Sequence, residues 1–466
     1  MASNMTAVRK KMEKSKISNA QDKAVVKYFP LKMVQDKKTE MYIKFAKVMV
    51  LVQGSYTEER EKNSELIEKT FKHCSAVVSD KKFTSSYNKA CSYKETKLFY
   101  DYFRCMIRRA LENCDNLLLI DSTVPNSDLN KYCIAFAYKM QYIVLVVPPV
   151  VMNASDCSEV WPKNSLAASF RDEAKKVIQP TNVFQHLFCA WYLHDVDSYE
   201  LRDNASLYIK DCLEGIEEFH TNMKENCSKI GVDGEELIDA VRQYYNLTDK
   251  RQDLAFCAVK MFDCSMELVN EYFEKHFVAN NYGKMSKLYI VGYIISPEMI
   301  AARVRLTHAQ KDLWEMVEEI DENTFEISRI QSPGPFKILE NLKKELPDID
   351  VETYSTKSQQ SLCKANQTVH DPLQTIHPSA KGRACHIVLG KSSDARPLHV
   401  DYGVQFALNK ERRFERSKTR LNIHELEDCV VKKIDKYWFI YLREVMTVDA
   451  LFASCVKSEP VADSVI

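Results

Sequence analysis

Short, continuous apolar runs alternate with longer helix-like segments through the first 195 residues of the chain. The apolar runs lie at 48–54, 76–79, 116–121 and 142–147. Segments with helical periodicity lie between them, at 58–72 and 98–111. Strands buried on both faces of a sheet have this unbroken apolar pattern, and helices connect such parallel strands. The pattern therefore predicts a first α/β domain over 48–195, built on a helix-covered parallel sheet.

The pattern changes after residue 195. Residues 196–250 contain helix-like segments and predict a helical connector, and residues 251–456 predict an α+β domain. Predicted strands of that domain lie at 254–259, 287–295, 383–390 and 436–442, and a predicted helix lies at 422–430. A polar stretch without a clear period fills about 322–382 and predicts a long flexible insertion. A polar tail follows at 457–466.

Composition places the chain among soluble globular proteins. Hydrophobic residues make up 45% and charged residues 28% of 466 residues, a length that predicts two or three domains. The formal net charge is zero, so no global field attracts nucleic acid or membrane. Residues 1–47, however, hold 12 Lys/Arg against 4 Asp/Glu. This basic, partly flexible leader is more often a solvated tail than a contact to RNA or an anionic membrane.

The cysteine pattern argues against metal sites and export. Fifteen cysteines are scattered without a CxxC motif or paired Cys/His spacing, so we expect no metal and no other cofactor. Free thiols and the lack of an apolar signal segment favour a cytoplasmic location. No apolar run approaches the roughly 18–20 residues that span a bilayer, so no integral membrane segment is expected. The last residues, DSVI, lack the cysteine of a prenyl anchor.

Several short stretches carry a family resemblance in a fixed order. They are VMVLVQG at 48–54, LLIDST at 118–123, ARVRL at 302–306 and CHIVLG at 385–390. In this order, from about residue 28 to 455, the chain resembles the 2′,3′-cyclic-nucleotide 3′-phosphodiesterase family. That resemblance implies a P-loop, kinase-like domain with a parallel sheet, followed by a two-lobed α+β 2H phosphoesterase domain.

The resemblance places a degenerate P-loop after the first strand. A P-loop uses glycines to wrap a phosphate, a lysine for the β- and γ-phosphates, and Ser/Thr for Mg²⁺. Here Gly54 is the only glycine of the segment, Arg60 stands near the lysine position and Glu61 takes the Ser/Thr position. Three glutamates within 58–61 would repel a triphosphate. With Asp121, these residues are remnants, and we expect no nucleotide binding and no ATP-dependent kinase activity.

The resemblance also implies a dismantled 2H site. Members of that group pair two His-x-Thr motifs, because one histidine accepts a proton and the other donates one. In this chain the first motif reads Phe256-Cys-Ala258 and the second reads His386-Ile-Val388. The resemblance therefore makes His386 a vestigial catalytic residue. Strand periodicity turns the intervening Cys257 to the opposite face.

The remaining candidate is a weak phosphate contact at Arg303, which matches an arginine of the family. Phe256 can stack on a base, but buried packing is its expected fate. A closed or repurposed cleft is favoured over retained weak nucleotide or RNA binding.

Three functions remain open. The favoured one is a catalytically impaired homologue that acts as a binding or scaffold protein, with RNA or a protein as its partner. The second is a weak 2′,3′-cyclic-nucleotide (RNA end) phosphodiesterase that uses His386. The third is an RNA-binding module that uses the basic leader and the old cleft.

Overall fold

The computed structural model describes residues 32–53, 58–72, 75–79, 93–113, 116–122, 137, 140–147, 187–229, 231, 236–248, 254–261, 271–273, 275–316, 382–395, 400, 402–417 and 422–456. Most of the predicted basic leader, Gly54, the predicted insertion at about 322–382 except residue 382, and the tail from 457 lie outside these residues.

The first sheet is parallel, as the apolar runs predict. Its strands are β1 (Val48–Gln53), β2 (Ser75–Ser79), β3 (Leu117–Ser122) and β4 (Ile143–Val147), in the order β2-β3-β1-β4. The helices of this region are α1 (Lys32–Gln35), α2 (Lys37–Ile43), α3 (Glu58–Thr70) and α4 (Tyr93–Glu112).

Alternate residues of β1 face two different apolar layers. Met49 and Leu51 pack in one cluster with Phe103 of α4. Val50 packs in another, with Ile67 of α3 and Phe71 directly after it. Because both faces of the strand are covered, its sequence is apolar without interruption.

Part of the predicted leader is folded. The Asp36 side chain accepts a hydrogen bond from the Thr39 backbone N–H at 2.9 Å and so caps the N-terminus of α2. The Thr39 hydroxyl in turn accepts one from the Met285 backbone N–H at 2.9 Å. Met33 and Ile43 are fully buried. Residues 32–47 therefore pack against the body of the protein.

The second sheet is antiparallel and barrel-like. Its eight strands run in the order β10-β11-β12-β5-β6-β9-β8-β7, and a further pairing of β12 with β7 closes the ring. The strands are β5 (Leu187–Tyr192), β6 (Phe256–Met261), β7 (Met285–Ile295), β8 (Met299–Arg305), β9 (His386–Lys391), β10 (Ile423–Glu425), β11 (Cys429–Ile434) and β12 (Tyr437–Val456). Its helices are α5 (Asp195–Gly215), α6 (Glu217–Lys229), α7 (Leu237–Tyr244), α8 (His276–Asn281), α9 (His308–Leu313) and α10 (Gly403–Ser417).

Strand β5 has both hydrogen-bonded neighbours in this second sheet. It pairs with β12 through Leu451–Tyr192 and with β6 through Tyr192–Phe256. The strand lies within the 48–195 range predicted for the first domain, yet its pairing joins it to the barrel-like sheet.

The prediction of a helix at 422–430 is wrong. This stretch forms β10 and the start of β11, which pair with each other and continue onto β12. The segment has charged residues and a helix-like spacing, but Val430 and Val431 are buried against the sheet. Pairing with the neighbouring strand therefore outweighs local propensity.

The helical connector packs on one face of the barrel-like sheet. Phe219 of α6 meets the ring of Trp438 edge-on at 5.0 Å between centroids, and Tyr208 of α5 lies 5.7 Å from Tyr293. The Tyr245 hydroxyl, just after α7, donates to the Ser296 carbonyl at 2.7 Å. We call this side of the sheet the outer face.

The end of α7 also fixes the position of β9. The Lys391 backbone N–H donates to the Tyr245 carbonyl at 3.0 Å. A Cβ atom on Gly390 would collide with that same carbonyl oxygen. Glycine at 390 therefore permits the close approach of α7 to β9.

We predict that Gly390→Ala lowers the free energy of unfolding by about 1–3 kcal/mol, because the backbone must shift to admit the methyl group. Chemical denaturation measures the loss. The matched control is Gly215→Ala at the end of α5, where the added Cβ meets only the flexible Leu426 side chain. Equal stability of the two variants would contradict the packing described here.

Candidate functional site

Strands β6 and β9 bring the two predicted motifs side by side. They are antiparallel neighbours, with Cys257 opposite Ile387. This register places Phe256 opposite Val388 and Ala258 opposite His386, so these four side chains share one face. Cys257 and Ile387 are fully buried on the other face, whereas Phe256 is 37% exposed. The prediction that Cys257 turns to the opposite face from Phe256 and Ala258 is confirmed.

Strand β8 adds Arg303 to the same face. Its register on β9 pairs Arg303 with His386 and Ala301 with Val388. Directly opposed residues of an antiparallel pair project to the same side of the sheet. We call the side that carries Phe256, Ala258, His386, Val388 and Arg303 the inner face.

The His386 imidazole is held in one orientation. Its Nδ1 lies 2.6 Å from the Ala384 carbonyl oxygen, which can only accept, so Nδ1 carries the proton and Nε2 is the basic nitrogen of the neutral ring. Burial lowers the pKa of His386 below its ordinary value, although the bond to Ala384 acts in the opposite direction. The ring is therefore neutral near pH 7 and suited to accepting a proton.

Phe256 is exposed, so the expectation that it would be buried is wrong. Its ring lies 5.5 Å from that of Tyr192 on β5, tilted by 38°. It lies on the inner face, opposite the face on which α5 and α6 pack. An aromatic ring that reaches the surface can stack on a flat ligand.

Arg303 is on the inner face but is 4% exposed. Its Nη2 lies 3.6 Å from Glu411 Oε2, and Glu411 comes from α10. The guanidinium carbon stands 5.4 Å from the centroid of the Tyr441 ring, within cation–π range. Helix α10 therefore covers the part of the inner face where Arg303 lies.

Glu411 has further cationic neighbours. Arg383 Nη2 lies 3.0 Å from Oε2 and Lys432 Nζ lies 4.0 Å from Oε1, while the Tyr441 hydroxyl donates to Oε1. Burial raises the pKa of Glu411, but the charge of Arg303, the Tyr441 hydrogen bond and the other cations outweigh it. The net pKa lies below the ordinary value of 4.5, so the side chain is an anion.

Sequence reading did not find Glu411, Arg383 or Lys432 as site residues. Glu411 lies in the segment KERRFERS, whose dense charge is typical of a solvated helix face. Burial of this glutamate depends on contacts with β8 and β11, which are distant in sequence.

The structure describes two of the three residues predicted as P-loop remnants in the first domain. Asp121 is buried in β3, opposite Val52 of β1. Arg60 is the third residue of α3, and Gly54 lies outside the described residues.

The described residues contain neither a cluster of metal ligands nor a membrane-spanning helix. No group of three or more His, Cys, Asp or Glu side chains there could hold a metal ion. Among the same residues, no helix combines the length and the apolar character needed to cross a bilayer.

Comparison with known proteins gives a match that is consistent with this geometry. The family model described as 2′,3′-cyclic nucleotide 3′-phosphodiesterase (CNP or CNPase) matches residues 185–329. This range includes β6 and β8 and ends before His386. The resemblance predicted from the sequence is confirmed for this part of the chain.

Individual relatives show the same similarity. The 2′,3′-cyclic-nucleotide 3′-phosphodiesterases of Rattus norvegicus and Mus musculus are each 24% identical over 199 residues, which is 42% of this chain and 46% of the relative. The enzyme of that name from Pongo abelii is 23% identical over the same shares. The chain thus spans about half the length of the curated relatives it matches.

We predict that His386 titrates below its ordinary pKa of 6.5, because burial disfavours the charged ring. NMR of the imidazole Cε1–H resonance against pH measures this value, and His386→Gln assigns the signal. In urea the midpoint should rise toward 6.5. Since the unfolded chain binds this proton more readily than the folded chain, the free energy of unfolding decreases as the pH falls below 6.5. A folded-state midpoint at or above 6.5 would contradict the partly buried, neutral ring.

Proposed function

We propose that the chain is a catalytically impaired homologue of 2′,3′-cyclic-nucleotide 3′-phosphodiesterase that acts as a binding or scaffold protein for RNA or a protein partner. One observation carries the proposal. Of the four motif positions on the inner face, only His386 can transfer a proton. Ring opening of a cyclic phosphate needs a base for the attacking water and an acid for the departing oxygen, and Phe256 supplies neither.

The phosphate contacts are missing as well. Ala258 and Val388 present methyl groups where hydroxyl groups would hold phosphate oxygens. Loss of one general acid or base typically costs about 10²–10⁴-fold in rate, and the missing clamps add to that cost. Arg303 cannot compensate directly, since its guanidinium is buried and ion-paired with Glu411.

We also propose that the first domain has no kinase activity. Its support is the sequence of the P-loop segment, in which Gly54 is the only glycine and three glutamates lie within 58–61. Like charge at that place opposes a triphosphate.

A weak phosphodiesterase is the second candidate, and the orientation of His386 favours it. The bond from Nδ1 to Ala384 leaves Nε2 as the base. A slow enzyme of this kind would act on 2′,3′-cyclic nucleotides or RNA ends and would lose its activity in His386→Ala.

An RNA-binding module is the third candidate, and the exposed ring of Phe256 favours it. Base stacking on an aromatic side chain is worth about 1–3 kcal/mol per base. Such a module predicts RNA affinity that falls steeply with salt and weakens on deletion of residues 1–31, which leaves the packed residues 32–47 in place, whereas a flat salt response would exclude it.

We predict that the combined substitutions Phe256→His, Ala258→Thr and Val388→Thr produce turnover of 2′,3′-cyclic AMP from an inert parent. The reason is that they restore the second proton-transferring group and both hydroxyl clamps on one face. The assay is steady-state hydrolysis at pH 7. Adding His386→Ala to the triple variant should abolish the gained activity.

A matched control makes the same kinds of change on exposed residues away from the inner face. It combines Tyr199→His, Val196→Thr and Leu207→Thr, all on α5, whose side chains are 51%, 53% and 51% exposed. Turnover in the control, or none in a folded triple variant, would contradict the proposed descent of this face from a phosphoesterase site.

A further inference from the structure

A buried ionic cluster lies on the inner face beneath α10. We name it the Glu411 cluster, and its members are Glu411, Arg303, Arg383, Lys432 and Tyr441. The side chains of its four charged members are each 9% exposed or less. Three of them are cations and one is a carboxylate. Buried charges are costly unless they are paired and hydrogen-bonded, so this grouping requires an explanation.

The contacts of Glu411 are divided between its two oxygens. Oε2 faces Arg383 Nη2 at 3.0 Å and Arg303 Nη2 at 3.6 Å. Oε1 accepts from the Tyr441 hydroxyl and faces Lys432 Nζ at 4.0 Å. Each carboxylate oxygen thus faces two donor groups. Two oxygens of a phosphate group present the same acceptor pattern to such a set of donors.

The Arg303 guanidinium has a donor that the carboxylate does not satisfy. Arg303 Nη1 is buried and has no hydrogen-bond partner among the residues that the structure describes. The two oxygens of Glu411 leave this donor unsatisfied, whereas a tetrahedral oxyanion has further oxygens that point in other directions. Guanidinium groups are matched in shape to such anions.

The position of the cluster connects it with the cleft. Arg303 is directly opposite His386 across β8 and β9. Its guanidinium therefore belongs to the face that carries the motif residues. Glu411 reaches this face from α10.

We propose that Arg303, Arg383 and Lys432 form a binding site for a small tetrahedral oxyanion of the phosphate class, and that the Glu411 carboxylate occupies this site as an internal ligand. The proposal deepens the binding role proposed above and rests on the assignment of the inner face as a ligand cleft.

The test removes the internal ligand and offers inorganic phosphate instead. Glu411→Ala creates space and removes the charge, while Glu411→Gln keeps the volume and removes only the charge. Isothermal titration calorimetry with inorganic phosphate measures affinity. Thermal unfolding in potassium phosphate, compared with potassium chloride of equal ionic strength, measures stabilisation by the same anion.

We expect Glu411→Ala to bind phosphate at least about tenfold more tightly than the unsubstituted protein. If the Glu411 side chain occupies the site for at least about nine-tenths of the time, at most about one-tenth of the molecules can bind phosphate, and the apparent affinity is about tenfold weaker. Phosphate should also raise the melting temperature of both variants more than chloride does. Adding Arg303→Met to Glu411→Ala should remove the gain.

The matched control is Glu425→Ala, which removes one negative charge from an exposed side chain of β10. Phosphate binding by folded Glu411 variants that is no tighter than binding by Glu425→Ala would overturn the proposal. Variants that fail to fold and are not rescued by phosphate during refolding would overturn it too. Neither measurement involves turnover, so a failure here is distinct from a failure of the proposed impairment.

Discussion

The antiparallel pairing of β9 with β6 on one side and β8 on the other is the constraint on which the site depends. A strand alternates its side chains between two faces, so one register decides which residues meet. Here it places Phe256, Ala258, Val388 and Arg303 beside His386 on the inner face. A shift of one residue would instead present Cys257 and Ile387, which are fully buried.

Different helices pack on the two faces of this sheet, and the side chains that they contribute determine whether a face is apolar or charged. The connector helices α5 and α6 pack aromatic side chains on the outer face, as Phe219 does on Trp438. On the inner face, α10 contributes the Glu411 carboxylate in a place with little solvent. A buried ion pair is weak evidence for stability, because desolvation offsets much of its Coulomb energy. The Glu411 cluster is therefore better explained as a ligand-like arrangement than as a device that stabilises the fold.

The sequence predicted much of the architecture because unbroken apolar runs specify buried strands directly. The parallel sheet and the strand that carries His386 follow from such runs. The predicted helix at 422–430 was wrong because pairing with β12 is a tertiary effect. The exposure of Phe256 was missed because it depends on what covers one face of the barrel. Glu411 was missed for the opposite reason, since a charged helix gives no sign that one of its carboxylates is buried.

The central claim is that a single neutral imidazole on the inner face does not sustain turnover. The most direct measurement is ³¹P NMR of the unsubstituted protein mixed with excess 2′,3′-cyclic AMP at pH 7, followed for many hours. We predict that the cyclic phosphate signal decays at the same rate as in a sample of His386→Ala. Conversion of many equivalents of substrate per protein, with decay that His386→Ala abolishes, would contradict it.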